Sequence, residues 1–266
     1  MKRDGHIHTH FCPHGTKDST ELYIEKAIKS GFTDISFTEH APLPHNFTDP
    51  TPMKDSSIRR DQLSPYMHEI NRLKAVYQKE IRIRVGLEVD FIAGYEKETK
   101  AFLDEIGPAL DDAILSVHFL RAGNRYYCAD YSKEVFAELA AANGSVESTY
   151  QLYYDTVAAS IQADLGQFKP KRIGHPTLIH KFQLAHGEKI DDSAQIQRVL
   201  DLMKKAGCEL DVNGAGFSKP ECLEAYPPIP FIEYAKSLGI PLVFGSDAHN
   251  VNGLHKHYEK IYTYLS

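Results

Sequence analysis

Two histidines one residue apart, His6 and His8, open the chemistry of this chain. On a strand, alternate side chains share a face, so both imidazoles point one way while Ile7 points the other, which makes a two-pronged metal clamp. His14 follows in the next loop, and further ligand-type residues recur along the chain: His40, Glu88, His118, His175, Asp247 and His249. Imidazole nitrogens and carboxylate oxygens together suit zinc, iron or manganese. Nine such groups exceed the needs of one ion and call for two or three. Glu88 and Asp247 are the natural bridges, since a carboxylate offers one oxygen to each of two ions and an imidazole nitrogen serves only one. Closely spaced ions acidify a shared water and clamp the oxygens of a tetrahedral group, the arrangement that hydrolyses a phosphoester.

Residues spread over so much sequence need a fold that gathers them. The opening strand leads to a helix starting at Asp18-Ser19-Thr20-Glu21, with Ile24, Ala27 and Ile28 on one face and Gly31 as its stop. A second strand, 33–38, runs out at Glu39-His40. Residues 41–60, rich in Pro, Asp and Ser, read as a long loop at that same strand end. Ser64-Pro65 has the pattern of a helix start, and Tyr66, Ile70, Leu73 and Tyr77 keep helical spacing. Strands follow at 81–87, ending at Glu88, at 113–117, ending at His118, and at 171–174, ending at His175. Helices are expected over 95–107 and in two segments of 132–168 broken near Asn143-Gly144. Helix 194–206 has Ile196, Val199, Leu200 and Met203 on one face and stops at Gly207, before a strand at 208–213. The last strand, 240–245, ends at Ser246-Asp247-Ala248-His249, and a closing helix takes the chain to Ser266.

Seven strand–helix repeats predict an α/β architecture with a parallel sheet, and their length favours a barrel. The ligand-type residues stand at or just after the C-terminal ends of the strands. In a parallel barrel those ends open on one face, so residues 6 to 249 converge there. A histidine that merely fills a core has no reason to track strand ends. His68, His255 and His257 do not track them and read as solvated surface.

The remaining figures set limits. With 266 residues, 42% hydrophobic and 25% charged, the chain can bury a sizeable core, and no linker divides it, so one domain over 1–266 is expected. Thirty basic against 36 acidic residues give a net charge of -6 without a basic tract, which argues against duplex nucleic acid as a partner. No segment resembles a signal sequence or a membrane span, so a cytoplasmic protein off the membrane is expected. Cys12, Cys128, Cys208 and Cys222 form no Cys-x-x-Cys pair and indicate neither disulfides nor a structural zinc site; Cys12, between His10 and His14, reads first as a small buried thiol.

Taken together, Asp4-Gly5-His6-Ile7-His8, Thr38-Glu39-His40, Gly86-Leu87-Glu88-Val89-Asp90, Ser116-Val117-His118-Phe119, Ile173-Gly174-His175-Pro176 and Gly245-Ser246-Asp247-Ala248-His249 resemble the ordered motifs of the polymerase-and-histidinol-phosphatase (PHP) superfamily. The segments 86–95 (GLEVDFIAGY), SVHF and 210–216 are most similar to its histidinol-phosphate phosphatases. The resemblance implies a distorted seven-stranded (β/α)7 TIM-like barrel and three divalent ions, zinc, iron or manganese. It also implies a partition: His6, His8, Glu88 and Asp247 on one ion, Glu88, His118 and His175 on a second, His14, His40 and His249 on a third. His10, on the face of His6 and His8 if the strand continued, receives no ion. The implied reaction is hydrolysis of L-histidinol phosphate in histidine biosynthesis, by a hydroxide bridging the metals, with Asp247 or His249 steering a proton to the leaving alkoxide.

A phosphate also wants cationic side chains, and Arg172, Lys219 and Arg121 are candidates; Asp90 and Asp130 would face a cationic substrate end. Three positions depart from the resemblance: Gly214 where threonine is usual, and Ser218 and His180 where arginine is common. They bear on the substrate more than on the reaction. The competing activities are a related phosphoesterase acting on nucleotides or another small phosphomonoester, and a metal-binding module without turnover. A structural site would close its coordination with far fewer donors.

Overall fold

The computed structural model describes residues 2–187 and 189–265. Its first strand, β1 (Arg3–Ile7), leads to α1 (Thr20–Lys29), and β2 (Asp34–His40) to α2 (Arg60–Val76). Next come β3 (Arg82–Asp90), α3 (Glu96–Ile106) and β4 (Asp112–Ser116). A hairpin of β5 (Phe119–Ala122) and β6 (Arg125–Cys128) precedes α4 (Lys133–Asn143) and α5 (Val146–Gln162). The chain ends with β7 (Arg172–Ile173), α6 (Ser193–Ala206), β8 (Glu209–Asn213), α7 (Ile229–Ser237), β9 (Leu242–Gly245) and α8 (Tyr258–Leu265). Ser266, where the sequence ended the closing helix, lies outside the described residues.

Seven strands pair in parallel in the order β1-β2-β3-β4-β7-β8-β9, the distorted (β/α)7 TIM-like barrel expected. Between β1 and β9 there is no regular ladder. The ring is drawn together at one bridge, Ile7 to Ala248, by Asp247 N–H donating to His6 C=O (2.8 Å) and His8 N–H to Ala248 C=O (3.0 Å). This seam runs through the ligand-type residues themselves, and the ladder of β1 shifts register between Asp4 and Ile7 on its way there.

Ile7, Ile35, Phe37, Val85, Leu87, Leu115, Ile173, Leu210, Val212 and Phe244 bury the strands against the helices. The apolar stripe of α6 packs as its spacing predicts, and the helix stops at Gly207 in the left-handed conformation (φ 68°). Five details differ from the sequence reading. Helix α2 begins a turn before Ser64, where Arg59 N–H donates to the Gln62 side chain (3.2 Å), and it runs on through Pro65. Strand β3 continues past Glu88 to Asp90. The hairpin β5–β6 turns at Gly123-Asn124, a two-residue signal present in the sequence and not read as a turn. Helix α7 forms in a stretch where the sequence reading places no helix. His255 is not a solvated surface group: its ring stacks on Phe32 with centroids 3.5 Å apart and its Nδ1 meets Asp4 Oδ2 at 2.8 Å.

The N-terminal end of the barrel is closed by charge. Arg84 forms a two-pronged pair with Asp34 (2.8 and 2.8 Å), while Arg3 and Arg172 meet Asp112 Oδ2 at 2.7 and 2.8 Å. Arg172 is 1% exposed and also donates to the Gly5 carbonyl (2.9 Å). It therefore cannot bind phosphate at the mouth, because three residues of extended chain, roughly 10 Å, separate its layer from that of His175. Among the described residues no helix is long and apolar enough to cross a membrane.

Candidate metal centre

The opposite end of the barrel gathers the histidines. His6 and His8, both fully buried, project to the same side from β1 and its extension while Ile7 packs in the core. His40 ends β2, Glu88 lies two residues inside the end of β3, His118 follows β4, His175 follows β7, and Asp247 and His249 follow β9. His175 (φ 25°) and Asp247 (φ 52°) adopt left-handed backbone, strain that points their side chains across the mouth.

Glu88 sits at the centre, 1% exposed. Its Oε1 accepts from Ser116 Oγ (2.7 Å) and lies 2.9 Å from His175 Nε2 and 3.6 Å from His118 Nε2. Its Oε2 lies 3.2 Å from His6 Nε2, 3.4 Å from His8 Nε2 and 3.1 Å from His40 Nδ1. Asp247 Oδ1 faces the same pair, 3.7 Å from His6 Nε2 and 3.2 Å from His8 Nε2. On the outer side, His14 Nε2 and His249 Nε2 are 3.1 Å apart, with the His40 ring 5.1 Å from that of His14 and 5.7 Å from that of His249.

Most of these rings are gripped by their other nitrogen. His6 Nδ1 meets Asp211 Oδ2 (3.0 Å), His8 Nδ1 meets Glu39 Oε1 (3.3 Å) and His118 Nδ1 meets Asp90 Oδ1 (2.7 Å). His14 and His249 use the carbonyls of Asp55 (2.8 Å) and Asp247 (3.0 Å). Such contacts fix the tautomer and leave Nε2 with a lone pair for a metal. Gly245 allows the Asp211 contact, since a Cβ there would stand 2.7 Å from His6 Cβ.

The polar atoms left over are the test of fit. The Nε2 atoms of His6 and His8, both ring nitrogens of His40, and Glu88 Oε2 are buried without a hydrogen-bond partner among the described residues. Donor atoms of His6, His8 and Glu88, of His6, His175 and Asp247, and of His40, Glu88 and His118 each lie within 4.8 Å of one another. Nitrogen and oxygen donors so disposed fit divalent cations.

The imidazoles divide: burial works against protonation at His6, His8 and His118, but the facing carboxylates outweigh it and raise all three, His8 to about 9 and His118 to about 10. Burial, then the neighbouring His8, hold His40 and His249 well below the usual histidine range. Burial pushes the Glu88 and Asp247 carboxyls up, but the imidazoles around them outweigh it and hold both well below the usual range.

Other candidates fall elsewhere. His10 is outside the cluster, because β1 has ended and the chain turns; its ring faces Thr20 Oγ1 (3.4 Å) and Glu69 Oε2 (3.7 Å). The Cys12 thiol is buried, with its sulfur within 4.8 Å of donor atoms of His8, His40 and His249. Asp90 is committed to His118, and Asp130 is paired with Lys181 Nζ (2.9 Å) and accepts from Cys128 Sγ (3.3 Å). Both carboxylates nonetheless line a cavity of about 450 Å³ that opens over the cluster. Lys219 lines it too, its ammonium pKa lowered by burial and by nearby Lys181. Arg121 does not reach it: the side chain is exposed on the hairpin, lies over the Tyr126 ring at 5.7 Å and donates to the Gly123 carbonyl (3.2 Å). Lys181, Lys256 and Tyr226 line the cavity without having stood out in the sequence, where a lone lysine or tyrosine in a loop carries no spacing signal.

Residues 4–215 match the PHP domain model. The chain belongs to the PHP domain family. Among PHP relatives, a histidinol-phosphatase of Bacillus subtilis (strain 168) is 48% identical over 261 residues, 97% of each chain, and a probable histidinol-phosphatase of Deinococcus radiodurans is 33% identical over 92% of this chain and 85% of its own. The crystal structure of a putative histidinol phosphatase from Listeria monocytogenes superposes with a TM-score of 0.93 at 40% identity, over 97% of this chain and 99% of its own. A Lactococcus lactis histidinol phosphate phosphatase, solved with zinc, L-histidinol and phosphate, shares the fold at 22% identity (TM-score 0.73, 99% of this chain and 93% of its own).

Proposed function

We propose that this PHP domain, taken as one unit over 1–266, hydrolyses L-histidinol phosphate to L-histidinol and phosphate at a trinuclear metal centre. The observation that carries the metal reading is Glu88, whose two oxygens face different sets of imidazoles, His118 and His175 on one side and His6, His8 and His40 on the other. His6, His8, Glu88 and Asp247 would hold one ion, Glu88, His118 and His175 a second, and His14, His40 and His249 a third. Ions so placed would lower the pKa of water and neutralise phosphate oxygens. The substrate assignment draws its support from the histidinol-phosphatase relatives that match the chain end to end.

The chain's own groups do the rest. Lys219 and Lys181, whose side chains line the same cavity, offer ammonium groups to phosphate oxygens. Asp130, beside Lys181, presents a carboxylate to the substrate's cationic end. Asp247 and His249 follow β9 at the mouth, and to them falls the steering of a proton to the departing alkoxide. The test is phosphate release by metal-loaded protein from L-histidinol phosphate, a nucleoside monophosphate and a dinucleotide. Turnover of the first by a wide margin is expected; turnover of a nucleotide without the first would overturn the assignment.

A further inference from the structure

Tyr226 is 1% exposed and, with Lys181 and Lys219, lines the cavity over the metal centre. Its backbone is pinned: Asn213 N–H donates to Tyr226 C=O and Tyr226 N–H to Asn213 C=O, both at 2.9 Å. Asn213 in turn donates from its side chain to Asp247 Oδ2 (3.3 Å), so the position of the ring is tied to the metal-binding end of the barrel. Gly216 leaves room for the ring, since a Cβ there would stand 2.8 Å from Tyr226 Cζ.

The hydroxyl at the end of this fixed ring meets only the Cys222 thiol and has no oxygen or nitrogen partner among the described residues. A thiol is a weak partner, so this contact offsets little of the cost of burying a hydroxyl that phenylalanine would avoid. Burial, with Cys222 and the carboxylates of Asp130 and Asp247 adding to it, pushes the phenol well above its usual range, so it stays protonated and can donate.

We propose that the Tyr226 hydroxyl is a substrate-binding group that donates a hydrogen bond to a phosphate oxygen held between Lys181, Lys219 and the metal centre. The inference rests on the phosphatase reading above, but its test does not require turnover. Metal-loaded wild type and Tyr226→Phe are compared for binding of inorganic phosphate by calorimetry, for kcat/KM on L-histidinol phosphate, for metal content and for Tm. The variant should bind phosphate about ten- to a hundredfold more weakly and lose kcat/KM by a similar factor, as expected for a hydrogen bond to a charged acceptor. Metal content should be unchanged and Tm unchanged or higher. Equal phosphate affinity in the two proteins would overturn the proposal even if the natural substrate were a different phosphate ester. A weaker affinity accompanied by lost metal or lowered Tm would overturn it too, by showing the phenol to be structural.

Discussion

His6 and His180 are both buried histidines between carboxylates, and they do opposite things. At His180, in the segment between β7 and α6, each ring nitrogen has its own acceptor: Nδ1 meets Glu224 Oε1 at 2.7 Å and Nε2 meets Asp192 Oδ2 at 2.6 Å, with Tyr154 also bonded to Asp192. Burial opposes a charge there, but the two hydrogen-bonded carboxylates outweigh it and raise the imidazole to about 9. The node is closed, a protonated ring that ties three segments together. At His6 only Nδ1 is satisfied, by Asp211, while Nε2 faces Glu88 and Asp247 without a hydrogen bond, and His8 repeats the pattern with Glu39. Five imidazoles crowd the single carboxylate of Glu88. Protons cannot satisfy that many nitrogens at once, whereas divalent cations can. On the metal reading proposed above, what separates His6 from His180 is the second nitrogen, since burial and acidic neighbours are common to both.

The contrast can be broken by mutation in order of expected effect. Glu88→Gln removes the charge shared by both sets of imidazoles, and we expect phosphatase activity to fall by about a thousandfold or more, with loss of bound metal by elemental analysis. His180→Leu should do the reverse, lowering stability by roughly 3 kcal/mol in urea unfolding because it leaves buried carboxylates unpaired, while metal content stays that of wild type. Because the folded pKa of His180 is raised, its stabilisation is complete below the unfolded value of 6.5 and is lost as pH rises through about 9. His180→Leu should therefore flatten the fall in wild-type stability across that window; an unchanged slope would contradict the closed-node reading.

Smaller changes sharpen the comparison. Asp211→Asn weakens the grip on His6 Nδ1 and should reduce metal affinity by about ten- to a hundredfold, read by chelator competition, with little change in Tm. Arg121→Ala, on an exposed side chain away from the cavity, should leave kcat/KM within about twofold, since surface substitutions of this kind move free energies by roughly half a kcal/mol at most.

Much of this was legible in the chain. Hydrophobic periodicity marked the seven strands, and once they were taken as parallel, ligand-type residues at their C-terminal ends had to share one face. The carboxylates that hold the rings were less visible. Asp211 and Glu39 lie on strands like many acidic residues, and only pairing across the barrel brings Asp211 to His6 over 205 positions. Arg172 shows the limit most clearly. Its closeness to His175 in sequence suggested a phosphate ligand, but along a strand that spacing means a lower layer, and the guanidinium closes the barrel floor on Asp112. Lys181 reaches the cavity from a single short 3-10 turn (Leu178–Phe182) and Tyr226 from a loop, both too short for periodicity to register.

The central claim is that nine donors, His6, His8, His14, His40, Glu88, His118, His175, Asp247 and His249, together hold a trinuclear centre. Elemental analysis of the purified chain after reconstitution with zinc or manganese and removal of loose metal measures it directly. Three ions per wild-type chain are expected, falling to two or fewer, with activity lost, in His118→Ala. A single ion per active wild-type chain, or full metal content and activity in that variant, would contradict the account.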